Sequence, residues 1–113
     1  MTNKFQSKLK IKKSAEFANI YSKNKYFYNS GLIMLTKSNN LENPRLGISI
    51  PKKNLKLSVK RNKIKRIIKE SFRLNYKKID KLDIVLIGGK NINNFNIKNT
   101  QKSLLELWKK IKI

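Results

Sequence analysis

The pattern of apolar and polar positions divides the chain into seven elements. From Leu57 to Tyr76, LSVKRNKIKRIIKESFRLNY, the residues Ile64, Ile67, Ile68, Ser71 and Phe72 share one side of a 3.6-residue helix. Asn62, Lys65, Arg66, Lys69 and Arg73 share the other, recurring at i, i+3, i+4, i+7 and i+11. A second amphipathic run, Ile97 to Ile111, turns Leu104, Leu105, Trp108 and Ile111 inward and leaves Lys98, Lys102, Lys109 and Lys110 outside. A shorter helix is predicted from Ser14 to about Lys23, with Phe17, Ile20 and Tyr21 on one side; its capping-box position holds Phe17 instead of Glu or Gln.

Between the helices the period changes to two. Lys25 to Asn29, KYFYN, reads as a short aromatic strand running into the turn Asn29-Ser30-Gly31, and Leu32 to Lys37, LIMLTK, as an apolar strand. After a polar loop to Pro44, Arg45 to Pro51 alternates. Leu46, Ile48 and Ile50 point to a core, while Arg45, Gly47 and Ser49 point to a face read as solvated, or else as open to a ligand backbone. Ile84 to Ile87 is unbroken aliphatic and ends at Gly88-Gly89, which predicts a strand buried on both faces, central or parallel in its sheet. The order helix, strand, strand, strand, helix, strand, helix defines an α+β fold, a two-layer sandwich built on a small mixed sheet. The 113 residues are read as a single domain, with residues 1–13 as a basic, mobile lead-in.

Charge sharpens this picture. Twenty-eight Lys and Arg stand against six acids, a net charge of +22. Self-repulsion at that level disfavours the compact state unless salt or a polyanion screens it, so nucleic acid is the expected partner. A membrane surface ranks below it, because the apolar helix face is needed for a core. Within Leu57 to Tyr76 one acid, Glu70, faces seven Lys or Arg, whereas an ordinary surface helix mixes signs. Three of the four arginines, Arg61, Arg66 and Arg73, lie in this one segment, and Arg alone offers a bidentate fork to phosphate. With no Cys and no His, zinc sites, thiol nucleophiles and imidazole catalysis are excluded on this chain. The acids Glu16, Glu42, Glu70, Asp80, Asp83 and Glu106 are scattered and suggest neither a catalytic pair nor a metal cluster. Nothing resembles a signal peptide or a membrane span, so a cytoplasmic location is expected.

Two readings of Phe17 and Tyr21 remain at this point, core packing or stacking on bases. Residue patterns alone lead to a cationic RNA- or DNA-binding domain, with a basic ribosomal protein as one member of that class.

The runs Pro44 to Ile50, Lys52-Lys53-Asn54, Lys60-Arg61-Asn62-Lys63-Ile64-Lys65-Arg66 and Glu70 to Arg73 closely resemble the protein subunit of bacterial ribonuclease P, and the likeness extends from about Phe17 to the end of the chain. The helix block carries that family's RNR motif with Lys63 where Arg is usual, which keeps the charge and loses the fork. The resemblance implies an RNA subunit that cuts the 5′ leader from precursor tRNA with bound Mg2+, assisted by a small basic protein that has no active site of its own. It implies that Lys52, Lys53, Lys60, Arg61, Asn62, Lys63, Lys65, Arg66, Lys69 and Arg73 face RNA. A cleft between the first helix and the sheet, with Phe17, Tyr21 and Ser49, would take the leader. It further implies a left-handed β-α-β crossover, against the general right-handed rule. The expected partners are the ribonuclease P RNA and the leader, with no obligate protein partner.

Overall fold

The computed structural model describes residues 7–22, 24–29, 31–94 and 96–112. Helices α1 (Ser14–Ser22), α2 (Ser58–Asn75) and α3 (Ile97–Lys109) pack on strands β1 (Lys25–Asn29), β2 (Leu32–Ser38), β3 (Arg45–Ser49) and β4 (Leu82–Gly88). All seven lie within a residue or two of the boundaries that the periodicity predicts. Short 3₁₀ turns at Tyr76–Lys78 and Lys90–Asn94 lie in the connections on either side of β4, and a third spans Ser7–Leu9. The sheet order is β1-β2-β4-β3, antiparallel except for the β3/β4 pair. β4 is therefore both central and parallel to one neighbour, which explains its unbroken aliphatic run.

Alternation along β2 and β4 splits the core in two. Leu32, Met34, Ile84 and Leu86 face the larger cluster, with Ile64, Ile68 and Phe72 of α2 and Leu104, Leu107 and Trp108 of α3. Leu35 and Val85 face the smaller one, closed by Ile20 of α1 and by Ile11, with Phe17, Ile33 and Ile87 at its margin. The α2 and α3 layer on the sheet is the expected sandwich; α1 adds a partial layer on the opposite face. The Trp108 indole Nε1 donates to Ser71 Oγ at 2.8 Å, and its ring lies 5.8 Å from that of Phe72, so α3 and α2 are locked by polar and aromatic contact together.

Two expectations change. Residues 7–13, read as mobile, lie against the outer edge of β3. Ile11 N donates to Leu46 O at 3.0 Å, and Leu9 and Ile11 enter the larger and smaller clusters respectively. The lysines on either side of those two residues masked their alternation. The Arg45, Gly47, Ser49 face, read as solvated, is covered along much of its length. A Cβ on Gly47 would stand 2.5 Å from Phe17 Cε1, so the absent side chain is what lets α1 approach the sheet.

Candidate nucleic-acid interface

A nine-residue helix has little stability of its own, so the position of α1 depends on what holds it. Ile20 is fully buried beneath it. Arg45 of β3 donates from Nη1 to Glu16 Oε2 at 2.8 Å and, from Nε and Nη2, to both carboxylate oxygens of Asp83 on β4 at 2.9 and 2.7 Å. Asn39 Nδ2 adds a further bond to Asp83. Hydrogen bonding from Arg45, and then from the Lys13 backbone N–H, holds the Glu16 carboxyl below its ordinary range, while Asp83 chiefly raises the already high guanidinium value. One turn on, Lys37 Nζ of β2 donates to Asn19 Oδ1 at 2.7 Å. The helix thus crosses the sheet from β3 towards β2, with Glu16 and Asn19 on one flank and the Phe17 and Tyr21 rings, 6.5 Å apart, one turn from each other.

Strand register supplies the floor beside those rings. Ser49, Ile87, Ile33 and Tyr28 are successive partners across β3, β4, β2 and β1, all on the α1 face. At about 4.8 Å per strand that row is ~14 Å long. None of the four is buried, whereas the next row, Gly47, Val85 and Leu35, lies under α1. That open strip of sheet beside α1, the candidate groove, has Ser49 at its β3 end, and the flank of α1 that bears Phe17 and Tyr21 is its nearest wall.

α2 presents its cations unevenly. Lys60, Asn62, Lys63, Arg66 and Lys69 are exposed, and Lys65 is half-buried at the margin of the helix face. None of these five cations pairs with a carboxylate among the described residues. Lys65 and Lys69 reach round the edge of β3 to line a recess of about 230 Å3 that also contains Phe17 and Gly47. Lys60 and Lys63 instead border an apolar recess of about 380 Å3 between α2 and the start of α3. Arg61 is committed to the fold, since its Nη1 donates to the carbonyls of Leu55 and Lys56 at 2.9 and 2.8 Å. Arg73 forms a bidentate pair with Glu70. Lys52 and Lys53 ride on an exposed turn that Asn54 anchors by donating to Gly88 O at 2.8 Å. The sequence reading missed Arg45 as the hub of α1, and Tyr26 and Tyr28 as groove-side residues; their alternation with Phe27 was the available signal.

No group of three His, Cys, Asp or Glu that could hold a metal occurs among the described residues, and Glu16, Asp83, Glu70 and Glu106 are each engaged by a cation. No helix among the described residues is long and apolar enough to cross a membrane.

These features describe a small basic α+β protein with a cationic helix joined to an aromatic groove. Residues 5–112 match the family model described as Ribonuclease P. A ribonuclease P protein component from Buchnera aphidicola is 41% identical over 108 residues, covering 92% of this chain and 91% of that one. The Staphylococcus aureus RNase P protein superposes with a TM-score of 0.82 at 36% identity, covering 90% of this chain and 93% of that one. The Thermotoga maritima protein gives 0.80 at 29%, covering 92% and 98%. The chain belongs to the family of ribonuclease P protein components, part of the endoribonuclease of tRNA 5′ processing. That membership displaces the ribosomal alternative.

Proposed function

We propose that this chain binds the ribonuclease P RNA through the cationic face of α2 and the Lys52-Lys53 turn, and binds the single-stranded 5′ leader of precursor tRNA in the groove between α1 and the sheet. The observation that carries this reading is the shared recess in which Lys65 and Lys69 of α2 meet Phe17 of α1. It makes the two surfaces continuous, so one protein can hold the RNA subunit and the leader at once. An aromatic wall beside an open sheet face suits unstacked bases, which only a single strand presents. The α2 N-terminus has no side-chain cap and no acid in its first turn, where Lys60 and Arg61 oppose the helix dipole. A phosphate there would relieve that repulsion.

In this reading the RNA subunit holds the Mg2+ ions and supplies the catalytic centre. The protein neutralises phosphates and orients the leader, which raises substrate and metal affinity without an active site of its own. The cytoplasm, where precursor tRNA is processed, is the proposed location.

The test is reconstitution. The protein is added to a matching ribonuclease P RNA at low Mg2+, and cleavage of a precursor tRNA with a 5′ leader is followed. Restored cleavage at the mature 5′ end supports the proposal. Tight binding to the RNA without rescue would reduce the chain to a generic basic domain.

A further inference from the structure

Three of the four tyrosines gather on one face of the molecule. Tyr21, Tyr26 and Tyr28 are 46%, 61% and 51% exposed, while Tyr76 is half-buried against Phe72. β1 divides its side chains cleanly. Phe27 packs on the larger core, and Asn29 Oδ1 accepts from Ser103 Oγ of α3 at 2.9 Å, so these two point to the α2 and α3 side. Tyr26 and Tyr28 are paired with Leu35 and Ile33 and so point to the α1 side. Single exposed aromatics need no explanation. These two are side by side on an edge strand, and Tyr28 closes the row Ser49, Ile87, Ile33 that floors the groove. Extended geometry separates the two rings by ~7 Å. A sheet face that displays neighbouring aromatics is a recurrent platform for unpaired bases, and tyrosine adds a hydroxyl that can bond sugar or phosphate.

We propose that Tyr26 and Tyr28 form a second stacking platform, which receives the single-stranded 5′ leader where it leaves the groove walled by Phe17 and Tyr21. This rests on the leader-binding reading above and extends it to a binding surface on β1. The platform makes leader length a determinant of affinity. A leader that ends inside the groove meets the Phe17 and Tyr21 wall and the floor beside it, and a longer one gains stacking across both tyrosines of β1.

The experiment compares the wild-type holoenzyme with Tyr26→Leu/Tyr28→Leu, Tyr26→Phe/Tyr28→Phe and Phe17→Ala, using precursor tRNAs with leaders of graded length and a leaderless tRNA. The double Leu variant should lose about tenfold or more in affinity for long leaders, the scale of one or two stacked bases. Leaderless binding should be unchanged, short leaders should lose clearly less than long ones, and the double Phe variant should keep most of the long-leader gain. As a check on the unaltered protein, a photoreactive uridine in the distal part of the leader should crosslink to β1. If Phe17→Ala loses leader dependence while the double Leu variant and the crosslink show none at β1, the platform is wrong and the groove stands. If neither variant alters leader dependence, the leader-binding reading fails and the platform with it. An equal loss with the leaderless tRNA would assign the tyrosines to another RNA contact and overturn the proposal.

Discussion

Arg45 Nη1 lies 2.8 Å from Glu16 Oε2, and that ion pair joins α1 to the sheet directly beside the Phe17 ring. Its contribution depends on pH in a defined direction. The folded Glu16 carboxyl titrates below the ordinary range of a glutamate, so its stabilisation is present in full above that range and is lost as pH falls through the lowered folded value. Glu16→Gln should cost ~0.5–1 kcal/mol near neutral pH, the modest scale of a part-exposed pair. The gap between the variant and wild type in urea unfolding should close as the pH falls through and below the ordinary carboxylate range. A gap that stays constant through that interval would show that Glu16 is not a titrating anchor of α1.

Gly47 is the position where the smallest change should reach the groove. Its backbone is ordinary strand, so alanine meets no conformational penalty there, yet the added methyl would overlap the Phe17 ring at 2.5 to 2.6 Å. Gly47→Ala should destabilise by ~1–2 kcal/mol through overpacking and weaken leader binding by displacing Phe17. Removing the ring should relieve the clash, so Phe17→Ala should cost less stability in the Gly47→Ala background than alone. Additive costs would mean that the ring has another place to go.

The arginines of α2 separate into two kinds. Arg61 bonds two carbonyls of the β3-to-α2 connection, whereas Arg66 is exposed and has no carboxylate partner among the described residues. The helix wheel puts Arg66 on the cationic side, and the family resemblance implies RNA contact for both. Arg61→Ala should therefore cost ~1–2 kcal/mol of stability as well as RNA affinity, because two carbonyls lose a charged donor. Arg66→Ala should leave the melting temperature unchanged and flatten the salt dependence of RNA binding by about one unit. Equal melting temperatures for the two variants would contradict the structural assignment of Arg61.

The elements were legible because helix and strand periods are written in side-chain polarity, and α2 and β4 are long and regular enough for the period to be unmistakable. What stayed hidden has a common cause. Gly47 under Phe17, Arg45 between Glu16 and Asp83, and Leu9 and Ile11 astride β3 are contacts between residues distant in the chain, and local pattern carries no information on such pairs. The same limit explains the polar face of β3. Gly and Ser there resemble solvated positions, and only the place of α1 reveals that Gly47 is small because another side chain occupies its space. The cationic side of α2 was readable as a whole. Which of its cations are spent on the fold was not, since the Arg61 contacts involve backbone carbonyls whose positions no side-chain pattern encodes.

The charge imbalance predicts how the free protein responds to salt. Twenty-eight cations face six acids, so even with Arg45, Arg73 and Lys109 in ion pairs the chain carries a large surplus of positive charge. Salt weakens such pairs, but here repulsion among the remaining cations outweighs them, so screening should stabilise on balance. Between ~10 mM and ~0.1 M ionic strength the screening length shrinks from about 30 Å to about 10 Å, from the size of the molecule to the distance between neighbouring lysines. A gain of ~1–2 kcal/mol corresponds to a rise of roughly 5–10 °C in thermal midpoint. At equal ionic strength sulfate should raise the midpoint further than chloride, because an anion that binds the folded cationic face shifts the equilibrium by mass action. The buried Trp108, the only tryptophan in the chain, makes its fluorescence a direct monitor of unfolding. A midpoint that is flat or falls with added salt would mean that the few ion pairs dominate the electrostatics and that the free protein does not wait on a polyanion for its stability.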